Sequence, residues 1–242
     1  DSRQYRGLAV VALVLPAFAL LLLMGLSRIP PVWYDEGWAL SVARNWVQVG
    51  HYGLLNTGEH VPATTLTTGF PVVIPVALSF RLLGIGVWQA RLPIVLFGVA
   101  AVCGLYSLGR CLFDQRVGLG AVAISLLLPL LGETHPILMS RQVLGEVPML
   151  CFLVWGIVAL FGNARGKPLG IGIAAILFAL ALHTKAQALP FLLLSLLASA
   201  AMAFHRGDRC TARSLAWCIA LTVFAAALIM CVQRSIVSSR GH

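Results

Sequence analysis

Two adjacent carboxylates, Asp35 and Glu36, stand in the segment P-P-V-W-Y-D-E-G-W that begins at Pro30. A carboxylate pair of this kind can take a proton from an attacking hydroxyl, one group acting as base and the other positioning it. The same residues also suit the start of a helix, Asp35 as N-cap and Glu36 at the positive end of the dipole, and the two roles are compatible. A second acidic position, Glu146, lies five residues after Arg141 in S-R-Q-V-L-G-E-V-P. The pair is either a structural salt bridge or an ionisable site whose arginine offers a planar fork to a phosphate. Lys185 follows His183 by two residues and reads as a point charge for a phosphate or as a lysine reaching for headgroups. Glu59 and His60 are neighbours that could ligate a divalent metal, without a third ligand in sequence. His51, His135, His205 and His242 read as ordinary loop or boundary residues.

The elements that must position these groups are apolar. Of 242 residues 60% are hydrophobic and 10% charged, where a soluble domain carries charge on about a quarter of its residues. The solvent of this chain is therefore lipid, and the apolar content suffices for roughly seven spans of about 20 residues. There is no P-loop, no Gly-rich dinucleotide turn and no H-E-x-x-H, so no nucleotide-bound donor is implied. The formal charge of +9 is spread along short loops and does not indicate a nucleic-acid partner. The six cysteines show no disulfide or zinc spacing and are expected to be buried or reduced.

Uncharged apolar runs occupy residues 7–26, 92–109, 117–132, 147–162, 168–182, 186–204 and 214–233, which predicts seven spans. The first follows Arg3 and Arg6 but is longer than a signal-peptide core and lacks an A-x-A site, so it reads as a transmembrane helix. An eighth run, 69–80, is short and contains Pro71 and Pro75, which favours an interfacial or re-entrant element. With the N-terminus inside, the inner segments carry Arg3 and Arg6, then Arg110 and Arg116, then Arg165 and Lys167, then Arg206, Arg209 and Arg213, as the positive-inside rule asks. A crossing at 69–80 would invert every later loop. The outer side then holds the long segment 27–91 and five acids, Asp35, Glu36, Glu59, Glu133 and Glu146.

Trp38, Val42, Trp46 and Val49 recur at helical spacing and predict an amphipathic interfacial helix, with Trp33, Trp38 and Trp46 as an aromatic belt. No repeat or linker divides the chain, so residues 1–242 read as a single all-α, polytopic membrane unit of about seven transmembrane helices, with interfacial helices in the first outer loop.

In this order, the segments P-P-V-W-Y-D-E-G-W-A-L-S-V-A-R-N-W, T-T-G-F-P-V-V-I-P, R-L-L-G-I-G-V-W-Q-A-R-L-P, S-L-G-R-C-L-F-D-Q-R, S-R-Q-V-L-G-E-V-P and H-T-K resemble the GT-C glycosyltransferases that use polyprenyl-phosphate sugars. Among these enzymes the chain resembles the protein O-mannosyltransferase-like group and the bacterial lipid A aminoarabinose transferases. The resemblance runs over about residues 3–205 and matches the N-terminal half of such enzymes, so the chain is expected to be part of a longer protein. Where the aminoarabinose transferases carry Glu-Lys-Pro, this chain reads T-T-G-F-P.

The resemblance implies a multi-pass enzyme of the cell membrane, in bacteria the inner membrane, with a cytoplasmic N-terminus and an extracytoplasmic active face. It would move a sugar from an undecaprenyl or dolichyl phosphate carrier to a lipid, glycan or protein acceptor among membrane lipids. It implies Asp35 as the base with Glu36 beside it, Glu146 (with Glu59 less securely aligned) as a secondary or acceptor-side acid, and Lys185 and Arg141 as contacts to the carrier phosphate. It fixes no cofactor, leaves a divalent metal at Glu59 and His60 open, and requires no nucleotide. A base opposite the leaving phosphate gives single displacement with inversion. The competing expectations are a transporter or flippase of a lipid-linked substrate, and a non-catalytic membrane subunit. Intramembrane charges also mark transport pathways, but no inverted repeat is found.

Overall fold

The computed structural model describes residues 14–56, 59–62, 68–127, 135–162 and 167–238. Helix α1 (Val14–Leu23) is followed by α2 (Tyr34–Val49), the antiparallel hairpin β1 (Gly53–Asn56) and β2 (Glu59–Pro62), and α3 (Phe70–Leu83). Then come α4 (Val87–Leu112), α5 (Gln115–Leu127), the single turn α6 (Pro136–Met139), α7 (Glu146–Phe161), α8 (Pro168–Thr184), α9 (Ala188–His205) and α10 (Arg209–Ser238). The hairpin is an addition to the helical expectation.

Among the described residues, α4, α9 and α10 are long and apolar enough to cross a membrane, and α1, α3, α5, α7 and α8 are shorter apolar helices. At 30 residues α10 is about 45 Å long. Phe191, Leu194, Phe204, Trp217, Phe224 and Leu228 of α9 and α10 are exposed; in lipid such a surface is solvated rather than sticky. The cysteines of the described residues are free.

Small residues bring the helices together, as expected where lipid tails compete with every apolar contact. A Cβ on Gly109 of α4 would lie 2.6 Å from the Gly118 Cα of α5, so the two backbones touch. Gly156 of α7 leaves room for the Phe178 ring of α8. One core joins α1, α4 and α5 through Leu22, Val102 and Val122. Another joins α7, α8, α9 and α10 through Leu160, Phe178, Leu196 and Leu215.

A third core, containing Ala39, Val42, Phe70, Val73, Val76, Ile94 and Val143, lies at one end of the bundle, and Ile236 and Val237 of α10 pack against it. The buried stripe of α2 is Ala39, Val42 and Ala43, with Trp46 packed beside it, whereas Trp38 and Val49 are exposed. The expected apolar face of Trp38, Val42, Trp46 and Val49 is thus rotated, because small residues let α2 approach α3. Trp46 also leaves the expected belt. Its ring lies 5.2 Å from Tyr52, edge-on, and 5.9 Å from Phe70, an aromatic cluster joining α2 to the hairpin and α3. Gly50, in the left-handed region at φ 72°, ends α2 so that the chain can turn into β1.

The run 69–80 becomes α3, and it does not run the length of the bundle. The Gly69 amide donates to the Thr184 carbonyl at the end of α8 (3.0 Å), and near the other terminus Ser79 Oγ donates to the Gln89 carbonyl at the start of α4 (2.6 Å). The interactions described next place those two anchor points at the same end.

Candidate active site

Arg91 and Glu36 form a buried, bidentate ion pair at the end where α2, α4 and α7 meet. Arg91 Nε donates to Glu36 Oε1 at 2.7 Å and Nη2 donates to Oε2 at 2.6 Å, and both side chains are wholly inaccessible. Arg91 Nη1 also donates to the carbonyls of Leu26 (2.8 Å) and Pro30 (2.9 Å). The Val143 amide donates to Glu36 Oε1 at 3.0 Å. Charges taken out of water need every remaining hydrogen-bonding position filled, and here the exit from α1, the start of α2, the start of α4 and the segment before α7 supply them. Glu36 is therefore a structural tie; it presents no open carboxylate for acid or base work.

Asp35 differs from its neighbour because successive helix positions point about 100° apart. It lies in the first turn of α2, whose N-cap position is Trp33 rather than Asp35. The expected capping role is thus corrected: the helix begins two residues earlier, with the Gly37 amide bonded to the Trp33 carbonyl at 2.8 Å. Asp35 is half-buried and its carboxylate makes no hydrogen bond or ion pair among the described residues. Trp33, Tyr34 and Trp38 beside it are exposed.

The expected pairing of Arg141 with Glu146 is not formed. Glu146 instead meets Lys185, Nζ donating to Oε1. The partners suit their helices: Glu146 opens α7 and Lys185 is the C-cap of α8, so each sits at the dipole end that favours its charge. Gly145 makes the approach possible, since a Cβ there would lie 2.7 Å from Lys185 Cγ and 3.1 Å from the Thr184 carbonyl oxygen. The second carboxylate oxygen, Glu146 Oε2, is buried with no partner among the described residues.

Arg141 is 7% exposed. Its Nη2 donates to the Met24 carbonyl, while Nε is buried and unpartnered among the described residues. Burial, reinforced by the positive charge of Arg91, holds the Arg141 guanidinium below its ordinary value. A cation in that state gains most from an anion brought to it.

Glu36 to Val143, Glu146 to Lys185, and Thr184 to Gly69 thus place the N-termini of α2, α3, α4 and α7 and the C-terminus of α8 in one layer. Asp35, Arg141, Glu146 and Lys185 share it. Arg110, Arg116, Arg206, Arg209 and Arg213 lie at the other helix ends and are exposed. Glu59 and His60 belong to β2, in register with Asn56 and Leu55, but their side chains, like Glu133, lie outside the described residues. Among the described residues no three His, Cys, Asp or Glu gather in a way that could hold a metal ion.

Sequence reasoning missed Arg91, Thr68 and the two glycines that let segments meet here, Gly69 and Gly145. An ionisable residue at the head of an apolar run is a signal in its own right, and it could have singled out Arg91. Gly69 is the tighter of the glycines, because any Cβ there would collide with the His183 carbonyl. Gly69→Ala is expected to part α3 from α8 and lower stability by about 1–3 kcal/mol, as overpacking does. Gly120→Ala, where nothing lies within 4 Å, is expected to cost nothing. Thermal unfolding of the two variants in detergent checks this, and equal midpoints would contradict it.

Apolar helices facing lipid, closed at one end by a charged layer, define a multi-pass membrane protein. The chain belongs to the family described as dolichyl-phosphate-mannose-protein mannosyltransferase, which residues 71–232 match. It is also similar to the crystal structure of ArnT from Cupriavidus metallidurans bound to undecaprenyl phosphate, with TM-score 0.70 and 18% identity over 95% of this chain and 42% of that one. The apo structure of the same protein gives TM-score 0.66 and 17% identity over the same shares. At such identities the likeness is one of fold, and this chain spans 42% of the length of those structures. No curated protein sequence matches it.

Proposed function

We propose that this chain carries the donor and base sites of a membrane glycosyltransferase that moves a sugar from a polyprenyl phosphate to a lipid, glycan or protein acceptor. The observation that carries the reading is the half-buried Asp35 carboxylate, unpartnered among the described residues, in the same layer as the cations Arg141 and Lys185. Asp35 takes the proton of the acceptor hydroxyl as that oxygen attacks the anomeric carbon. The bond from that carbon to the phosphate oxygen breaks, and polyprenyl phosphate leaves with its charge held by Arg141 and Lys185. One displacement inverts the anomeric centre and needs no nucleotide. Family membership favours transfer over transport.

The basic loops at the opposite end support an extracytoplasmic site and a cytoplasmic N-terminus, in bacteria at the inner membrane. The bound undecaprenyl phosphate of ArnT supports a polyprenyl phosphate as carrier. Binding of undecaprenyl phosphate to the protein in nanodiscs tests the cation roles. Arg141→Ala and Lys185→Ala are each expected to weaken it by about tenfold or more, the loss of a charge-assisted hydrogen bond. Unchanged affinity in both variants would remove the assignment.

A further inference from the structure

The Thr184 carbonyl is a meeting point of three segments distant in sequence. The Gly69 amide donates to it at 3.0 Å, and a Cβ on Gly145 would stand 3.1 Å from it. The residue adjoining each of these atoms brings a polar side chain: Thr68, Glu146 and Lys185. Lys185 is committed to Glu146 Oε1, which leaves Oε2 as a buried acceptor with no partner among the described residues. Thr68 is 1% exposed, and its hydroxyl is likewise buried and unpartnered among them. Buried polar groups are nearly always satisfied, and leaving one unmade is more costly than making it is favourable. Here an orphaned donor and an orphaned acceptor belong to one junction.

We propose that Thr68 is a further substrate-contacting residue, which together with Glu146 Oε2 holds one hydroxyl of the sugar on the donor. A hydroxyl both donates and accepts, so it gives its proton to the carboxylate and takes that of Thr68. A phosphate has only acceptors and would meet Oε2 as like charge, and an apolar group would leave both atoms unsatisfied. The inference rests on the reading of Lys185 as a phosphate contact, since the hydroxyl reaching Oε2 then belongs to the sugar esterified to that phosphate. It makes the junction a reader of sugar identity as well as an anchor for the carrier.

The test is binding of undecaprenyl phosphate and of its mannosyl and 4-amino-4-deoxyarabinosyl esters to the protein in nanodiscs, by native mass spectrometry. Thr68→Val, nearly equal in shape, is expected to weaken the sugar ester that the parent prefers by about tenfold while leaving the bare carrier within about twofold. Thr68→Ser keeps the hydroxyl and is expected to restore the preference, which separates contact from folding. Removing the matching hydroxyl from the sugar is expected to cost the parent a similar factor and to cost Thr68→Val nothing more. Equal loss of bare carrier and ester, or no loss at all, overturns the inference, as does a parent that binds bare carrier and gains nothing from the sugar. A parent that binds neither carrier nor ester overturns the donor-site reading itself.

Discussion

Asp35→Asn is expected to lower sugar transfer by about 10²–10⁴-fold, the usual contribution of a positioned base, while the protein folds and binds its carrier as before. The substitution keeps shape and removes only the ability to accept a proton. The Asp35 carboxylate makes no hydrogen bond among the described residues, so no helix end or core contact depends on it. Transfer of labelled sugar from undecaprenyl-phosphate donors in membranes containing the parent or the variant gives the comparison, with carrier binding measured alongside. Full transfer by the variant would exclude Asp35 as the base. Loss of transfer together with loss of carrier binding would move the residue to a binding role.

Glu36, one position along, should behave in the opposite way. Glu36→Gln and Arg91→Met each leave a buried partner uncompensated, and breaking such a pair from one side costs about 3–5 kcal/mol. The paired replacement Glu36→Leu with Arg91→Met removes both charges and is expected to cost less than the two single changes together, though the Leu26 and Pro30 carbonyls and the Val143 amide still lose their partners. Cys151 and Cys218 are buried whereas Cys111, Cys210 and Cys231 are exposed, so labelling by a thiol-reactive dye beyond that of the exposed thiols reports unfolding in detergent. Single variants that unfold with the parent would show that the ion pair does not hold this end of the bundle.

The contrast between these two residues shows where the sequence stops being informative. The helical, apolar character of the chain could be read directly from its uncharged runs, although among the described residues only α4, α9 and α10 have the length of a full span, and the two prolines and short length of 69–80 set α3 apart. Asp35 and Glu36, by contrast, are the same chemistry at adjacent positions. What separates them is the face each presents, and that is set by a helix start two residues earlier than the capping rule suggested. The partner of Glu146 was misjudged for a related reason: Arg141 is near in sequence, but Lys185 is brought near by the antiparallel packing of α7 on α8. Thr68 stood out only as part of T-T-G-F-P, in place of a Glu-Lys-Pro, and nothing in that segment assigned it a role until three segments converged on one carbonyl oxygen. The rotation of α2 follows from Ala39 and Ala43, whose small size matters only against a partner helix.

The Glu36 tie also bears on how the protein is made. Glu36 is separated by 55 residues from Arg91 and by 107 from the Val143 amide, so it is synthesised well before either partner. Until α4 arrives, burial of that lone carboxylate is opposed by its own hydration, so the start of α2 gains nothing by closing onto the bundle. Closure becomes favourable when Arg91 is delivered, and is completed when the strand of chain leading into α7 supplies its amide. Electrostatics thereby sets an order of assembly, in which the layer that houses Asp35 and Lys185 forms only after the spans that flank it have been inserted.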